Sequence, residues 1–241
     1  MLKRLSIIAV LSVIAIFISL PASATPSDTN ITWNADVTAD ESLTLFTWAE
    51  WGNNKYDDGH YIGFSYGLFD WVEIGGDWRI TEDEDHRQDP TFDAKLRFAL
   101  SDEEDGCGDG EGCGGSCACI NTTAIAIGVD NINFDEDENG DFIPYIVYTH
   151  DFDGFRGHAG YAFEEDNGAI FVGFDTNAGD ATFKWDWTQC NDGDDWLAAV
   201  GVEVPFELLD EDGWNFATYL MFASNDEMSD TWTVEFNYTF D

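Results

Sequence analysis

The chain is poor in bases. Nine Lys and Arg stand against 49 Asp and Glu, for a formal net charge of −40. Phosphate neutralisation needs clustered Lys and Arg, so this balance argues against nucleic acid as a partner. It also disfavours docking on an anionic lipid surface. Beyond residue 24 no apolar run approaches the ~18 residues of a membrane-crossing helix. Helical periodicity is almost absent from the same region. Aromatic side chains, by contrast, are plentiful. Ten Trp, eight Tyr and 19 Phe exceed what a disordered chain carries, and 241 residues suffice for one domain or two small ones.

Residues 1–24 read as a secretory signal. Lys3 and Arg4 form the positive end, 5–20 is an apolar run, and Ala22-Ser23-Ala24 is a small-residue cleavage site. An uncleaved anchor is the competing reading, but the run is short for a full span. No Cys follows the leader, which disfavours a lipid anchor. The remainder is expected to be exported, and either to dissolve or to span a membrane as strands. Residues 25–41 form a polar lead-in, with 31–37 as a candidate extra strand, and 42–241 form the main domain.

That domain is a series of segments of alternating polarity separated by acidic, Gly- and Asn-containing turns. Twelve are predicted: 42–51, 60–68, 71–80, 91–101, 122–130, 142–150, 155–164, 169–176, 181–188, 196–204, 214–223 and 231–240. Their faces separate cleanly. In 91–101, Phe92, Ala94, Leu96, Phe98 and Leu100 oppose Asp93, Lys95 and Arg97. In 71–80, Val72, Ile74, Trp78 and Ile80 oppose Glu73, Asp77 and Arg79. All the strand bases (Arg79, Lys95, Arg97, Arg156 and Lys184) fall on the polar parity. So do Glu50, Glu73, Asp77, Asp93, Asp130, Glu164, Asp175, Asp186, Glu203 and Glu235.

Period two establishes two faces without saying which is enclosed. In a soluble β-sandwich the aromatic face is the core. In a membrane barrel the order inverts, with aromatics toward lipid and charges lining the lumen. The even strand number, the segment lengths and the short connections favour the barrel, since a tilted spanning strand needs ~9–11 residues. Small residues on the polar face, such as Gly63, Ser65, Gly67, Gly160 and Ala162, suit a crowded interior. Closure matters because an open sheet in lipid leaves edge N–H and C=O groups unpaired. The expected fold is all-β: a closed up-and-down antiparallel transmembrane β-barrel of about twelve strands. Trp48, Tyr148 and Phe171 are expected to point inward and narrow it. Trp71, Trp78, Trp185, Trp187, Trp196, Trp214 and Trp232 lie mostly near strand ends, as interfacial girdles do.

The last segment runs Trp232, Val234, Phe236, Tyr238, Phe240 at alternate positions, followed by Asp241. This resembles the terminal strand of bacterial outer-membrane β-barrel proteins, a porin-like and functionally mixed family. The resemblance implies that outer-membrane assembly machinery recognises these five residues. It also implies residence in the outer membrane of a Gram-negative-type cell, among its lipids and lipopolysaccharide. It implies architecture and location, and leaves activity open. The penultimate rather than final placement of Phe240 departs from the pattern. With both ends periplasmic, connections 52–59, 81–90, 131–141, 165–168, 189–195 and 224–230 are external. Connections 69–70, 102–121, 151–154, 177–180 and 205–213 are then periplasmic.

Cys107, Cys113, Cys117 and Cys119 share one Gly-rich connection, while Cys190 stands apart. In an oxidising compartment two local disulfides are the plainer expectation, and a thiolate metal site the sharper one. Asp135, Asp137, Asn139 and Asp141, with Gly140, resemble the first half of an EF-hand calcium loop. Ile146 replaces the bidentate Glu at position twelve, so calcium is a weak cofactor candidate. The runs 82–85 and 102–105 are acidic, either as hydrated surface or as divalent-cation bridges to lipopolysaccharide. His60, His86, His150 and His158 are the only imidazoles, and no Ser beside them sits in a recognisable hydrolase motif. No catalytic role is assigned.

The leading expectation is a small channel or passive transporter for small solutes. Arg79, Lys95, Arg97, Arg156 and Lys184 would be laddered in its lumen against Glu73, Asp77, Asp93, Asp186, Glu203 and Glu235. Such a base ladder either gives local selectivity for anionic solutes or only neutralises buried acids and plugs the lumen. The alternatives are a structural or adhesive barrel with calcium-binding acidic loops, and a secreted β-sandwich binding module.

Overall fold

A computed structural model describes residues 33–52, 59–80, 90–101, 123–132, 142–152, 154–163, 168–190, 195–208, 211–224 and 230–240. The side chains of Ser101, Cys190, 207–208 and 211–212 are not among them. The strands are β1 (Leu43–Gly52), β2 (Gly59–Phe69), β3 (Val72–Ile80), β4 (Thr91–Ser101), β5 (Thr123–Ile132) and β6 (Ile143–Asp151). They continue as β7 (Arg156–Phe163), β8 (Gly168–Ala178), β9 (Ala181–Cys190), β10 (Asp195–Leu208), β11 (Glu211–Ala223) and β12 (Thr231–Phe240). Each pairs antiparallel with its sequence neighbours, and β1 pairs with β12, so one sheet closes into a barrel. A two-sheet sandwich is thereby excluded.

The closing seam runs in unbroken register from Leu43 opposite Phe240 to Gly52 opposite Thr231. With every strand paired on both sides, no edge is left to carry unsatisfied backbone groups. The twelve-strand count places the start of β1 and the end of β12 at one rim, here called the terminal rim.

The enclosed face carries the charges. Glu73 and Asp186 are fully buried and Lys95 is 1% exposed, whereas Ile127, Ile146, Ile170, Phe174, Val200 and Phe236 are each more than 40% exposed. An exposed aliphatic belt around a polar interior inverts the burial order of a soluble protein. Small residues on the enclosed face make room for rings from adjacent strands. A Cβ on Gly63 would lie 2.2 Å from the Phe46 ring. One on Gly160 would lie 2.1 Å from Phe171 Cζ and 2.5 Å from the Ile146 carbonyl oxygen. Gly160→Ala is therefore expected to cost ~1–3 kcal/mol through forced overpacking. The check is a lowered midpoint in urea unfolding followed by tryptophan fluorescence, and an unchanged midpoint would refute it.

Two expectations need correction. Tyr148 is 41% exposed on the outer face; the inward residues of β6 are Tyr145 (3%), Val147 and Thr149. Every position from Ile143 to Tyr148 is apolar, proline or aromatic, so no charge marks the parity there. The connection placed at 205–213 shrinks to 209–210. Pro205 pairs with Asn215 and Phe206 with Trp214, followed by a register shift before Leu208. Proline's missing donor is tolerated near a strand end beside such an irregularity.

Residues 33–41 do not add a strand to the sheet. Only Trp33 and Asp40 make isolated bridges, and Asp40 bridges Gly67 of β2. The segment runs as a strap across the interior of the barrel, with Ala35 and Asn34 buried.

Candidate functional site

The interior is lined by three groups of side chains, two of them tied to the strap. The first lies on β6, β7 and β8. Register places Arg156 directly opposite Asp175, where the guanidinium donates twice to the carboxylate, at 2.9 and 2.8 Å. His158 Nε2 meets the same carboxylate at 2.9 Å, and its Nδ1 meets Thr149 Oγ1 at 2.9 Å. Two bonds join this chain to the strap. The Ala35 N–H donates to Thr149 Oγ1 at 2.8 Å, and the remaining arm of Arg156 holds the Asp36 carboxylate. Beside them Trp33 stacks on Tyr145 at 4.5 Å and 11°, with Phe171 edge-on at 5.2 Å.

The second group lies on β2, β3 and β4. Lys95 is opposite Glu73 in register, with Nζ 3.8 Å from Oε1. Glu73 Oε2 also accepts the Thr38 hydroxyl at 2.7 Å and the Thr38 N–H, while Thr38 Oγ1 bonds Ser65 Oγ at 2.8 Å. Asp77 accepts from Thr91 Oγ1 at 3.0 Å. Asp93 lies under Gly75, where a Cβ would approach its carboxylate to 2.6 Å. Arg79 sits over the Tyr61 ring at 5.7 Å, and Tyr61 stacks on Trp48 at 4.6 Å and 4°.

The third group lines β9 to β12 and β1. Lys184 reaches Glu203 at 2.7 Å, Trp48 Nε1 donates to Glu50 at 2.9 Å, and Asn237 donates to Glu235 at 3.3 Å. Asp186 and Tyr219 are buried among them. Between this wall and the strap lies a cavity of about 320 Å³, lined in part by Asp36, Thr38, Arg156, Lys184 and Glu203.

Of the sequence-predicted interior residues, Lys95 meets Glu73 and Lys184 meets Glu203, both named for the ladder, whereas Arg156 meets Asp175, which was placed on the polar parity but not in the ladder. Arg97 is half-buried, opposite the fully buried Ala126. Sequence reasoning placed His158 as a rim or lumen residue but assigned no interior role to Asp36, Thr38 or Thr149, whose strap-to-wall partners lie 35 to 120 residues away. His60 packs edge-on to Trp51, while Thr123 Oγ1 and His150 Nδ1 are 2.7 Å apart. Among the described residues no group of three or more His, Cys, Asp or Glu is placed to hold a metal. Cys107, Cys113, Cys117, Cys119, Asp135, Asp137, Asn139, Asp141, His86 and Glu164 lie outside the described residues. So do residues 1–24 and the acidic runs 82–85 and 102–105.

A closed antiparallel barrel with an apolar exterior and an ionic interior is the fold of outer-membrane β-barrels. Two solved structures agree at TM-scores of 0.50 or above. The KdgM porin aligns with a TM-score of 0.52 at 11% identity, over 83% of this chain and 99% of that one. A membrane protein from a study of in-meso crystallization aligns at 0.50 and 14%, over 83% of this chain and 84% of that one. Outer membrane phospholipase A from Escherichia coli aligns at 0.48 and 9%, over 91% of this chain and 94% of that one. At these identities the likeness is one of fold. No protein-family model and no curated protein matches the chain.

Proposed function

We propose that this protein is a passive outer-membrane channel for small solutes, with a lumen that prefers cations. The carrying observation is the charge on the enclosed wall. Glu50, Glu73, Asp93, Asp130, Asp175 and Asp186 are buried there, together with Glu203, Glu235 and the strap's Asp36, and they outnumber Arg79, Lys95, Arg97, Arg156 and Lys184. Rings of carboxylates in a confined path favour cations, and the bases neutralise only part of them. The porin-like fold supports a conducting role, and a barrel of this kind sits among outer-membrane lipid and lipopolysaccharide. Export through a cleaved leader and recognition of Trp232, Val234, Phe236, Tyr238 and Phe240 by assembly machinery belong to the same reading. So do calcium at Asp135, Asp137, Asn139 and Asp141, and disulfides among Cys107, Cys113, Cys117 and Cys119.

Planar-bilayer recording across a potassium chloride gradient tests it. The reversal potential is expected to have the sign of cation selectivity and to move toward zero in Asp186→Asn/Glu235→Gln. Absence of conductance under every condition removes the channel reading.

A further inference from the structure

Resting on that reading, we propose that residues 33–41 are a resident plug, and that conduction through the barrel is set by whether this strap is docked. Its bonds join elements that do not otherwise meet. Trp33, Ala35 and Asp36 bind the β6–β8 wall, and Thr38 binds β2 and β3. A single extended segment therefore crosses from one wall to another through the space a solute would take.

The junction with the barrel is built as a turn. Glu41 adopts φ 60°, its N–H donates to the Gly67 carbonyl at 2.9 Å, and the Ser42 N–H donates to the Ala39 carbonyl at 3.0 Å. A left-handed non-glycine residue here costs backbone energy, which the surrounding bonds offset. This turn folds the strap back into the lumen from the terminal rim.

The wall is shaped for the strap. A Cβ on Gly67 would lie 2.0 Å from the Ala39 carbonyl oxygen and 2.5 Å from that of Thr38, so the docked strap requires glycine there. Its grip is polar at Thr38, Asp36 and Ala35, and apolar at Trp33. The cavity of about 320 Å³ on its other side leaves it unpacked toward Lys184 and Glu203. A segment held along one side by a few bonds, with free volume beside it, can leave without unfolding the sheet, because no ladder bond of β1 to β12 depends on it.

The experiment compares single-channel conductance of the wild type, Gly67→Val, Asp36→Ala/Thr38→Val, and a chain lacking residues 33–40. Each must first show the folded band on an unheated gel. The docked-strap contacts predict that Gly67→Val and the deletion share one conductance, at least twofold above wild type, with the double variant between. Should the deletion misfold, Gly67→Val still tests the proposal, since it alters the wall and leaves the strap complete. A second readout is labelling of Ser65→Cys, a wall position with no exposed surface beneath Thr38, by a polar thiol reagent. Labelling is expected to accelerate severalfold in the Gly67→Val background. Equal conductance in folded wild type and variants overturns the plug and leaves the channel standing. No conductance in any of them overturns the channel, and the plug with it.

Discussion

Lys95→Met is expected to cost ~3–5 kcal/mol of unfolding free energy, the loss typical when one partner of a buried ion pair is removed. Lys95 and Glu73 are 1% and 0% exposed, so a carboxylate that loses its ammonium neighbour gains no bulk water in exchange. Coulomb attraction at 3.8 Å is not the main stake; the cost is the uncompensated charge left inside. The double variant Lys95→Met/Glu73→Gln should recover most of the loss, because glutamine carries no charge and its carbonyl still accepts from Thr38. Urea unfolding in detergent, read by tryptophan fluorescence, gives both numbers. A single variant as stable as wild type, or a double variant no better than the single, would refute the account.

Charge placed on the outside should be nearly as damaging, and in a depth-dependent way. Ile127 sits at the middle of its wall, opposite Leu96 and Ile146, and is 42% exposed. Leu100 lies near the end of β4 at the terminal rim and is 56% exposed. Ile127→Arg is expected to cost ~2–4 kcal/mol in lipid vesicles and Leu100→Arg ~0–1 kcal/mol. On a water-washed surface both would be nearly neutral, since substitutions there usually stay within about ±0.5 kcal/mol. Equal, small costs at the two sites would mean that the exterior is not in hydrocarbon.

These effects concern features that alternation makes visible. Where one parity holds charge and the other holds rings, as in Asp93-Ala94-Lys95-Leu96-Arg97-Phe98, the two faces follow from the chain alone, and the structure keeps the boundaries of β4 and β12 as read. The alternation fails in β6, where apolar side chains occupy both parities and Tyr148 is misplaced. Its direction is settled by tertiary contact, the stacking of Tyr145 on Trp33. Pro205 misleads for a different reason: it breaks the local pattern but not the pairing.

The interior ion pairs were half legible. Glu73 with Lys95 and Asp175 with Arg156 are direct cross-strand neighbours, so strand register would have given both. The reach of Lys184 to Glu203 is diagonal and needs side-chain geometry. The strap was not legible at all. Trp33 to Glu41 shows no period, and the meaning of Asp36 or Thr38 exists only once distant strands have been rolled into a wall.

The seam between β1 and β12 has a consequence for biosynthesis. Thr44 and Thr239 share a 2.9 Å hydrogen bond across 195 positions of sequence. The first strand must therefore wait, unmatched on its outer side, until the ribosome has passed β12. Contacts this remote make folding slow, and the waiting edge is a template for unwanted strand addition. A message cut short before β12 is translated yields a chain that cannot shut, so synthesis of that strand is inspected by the geometry of the cylinder itself.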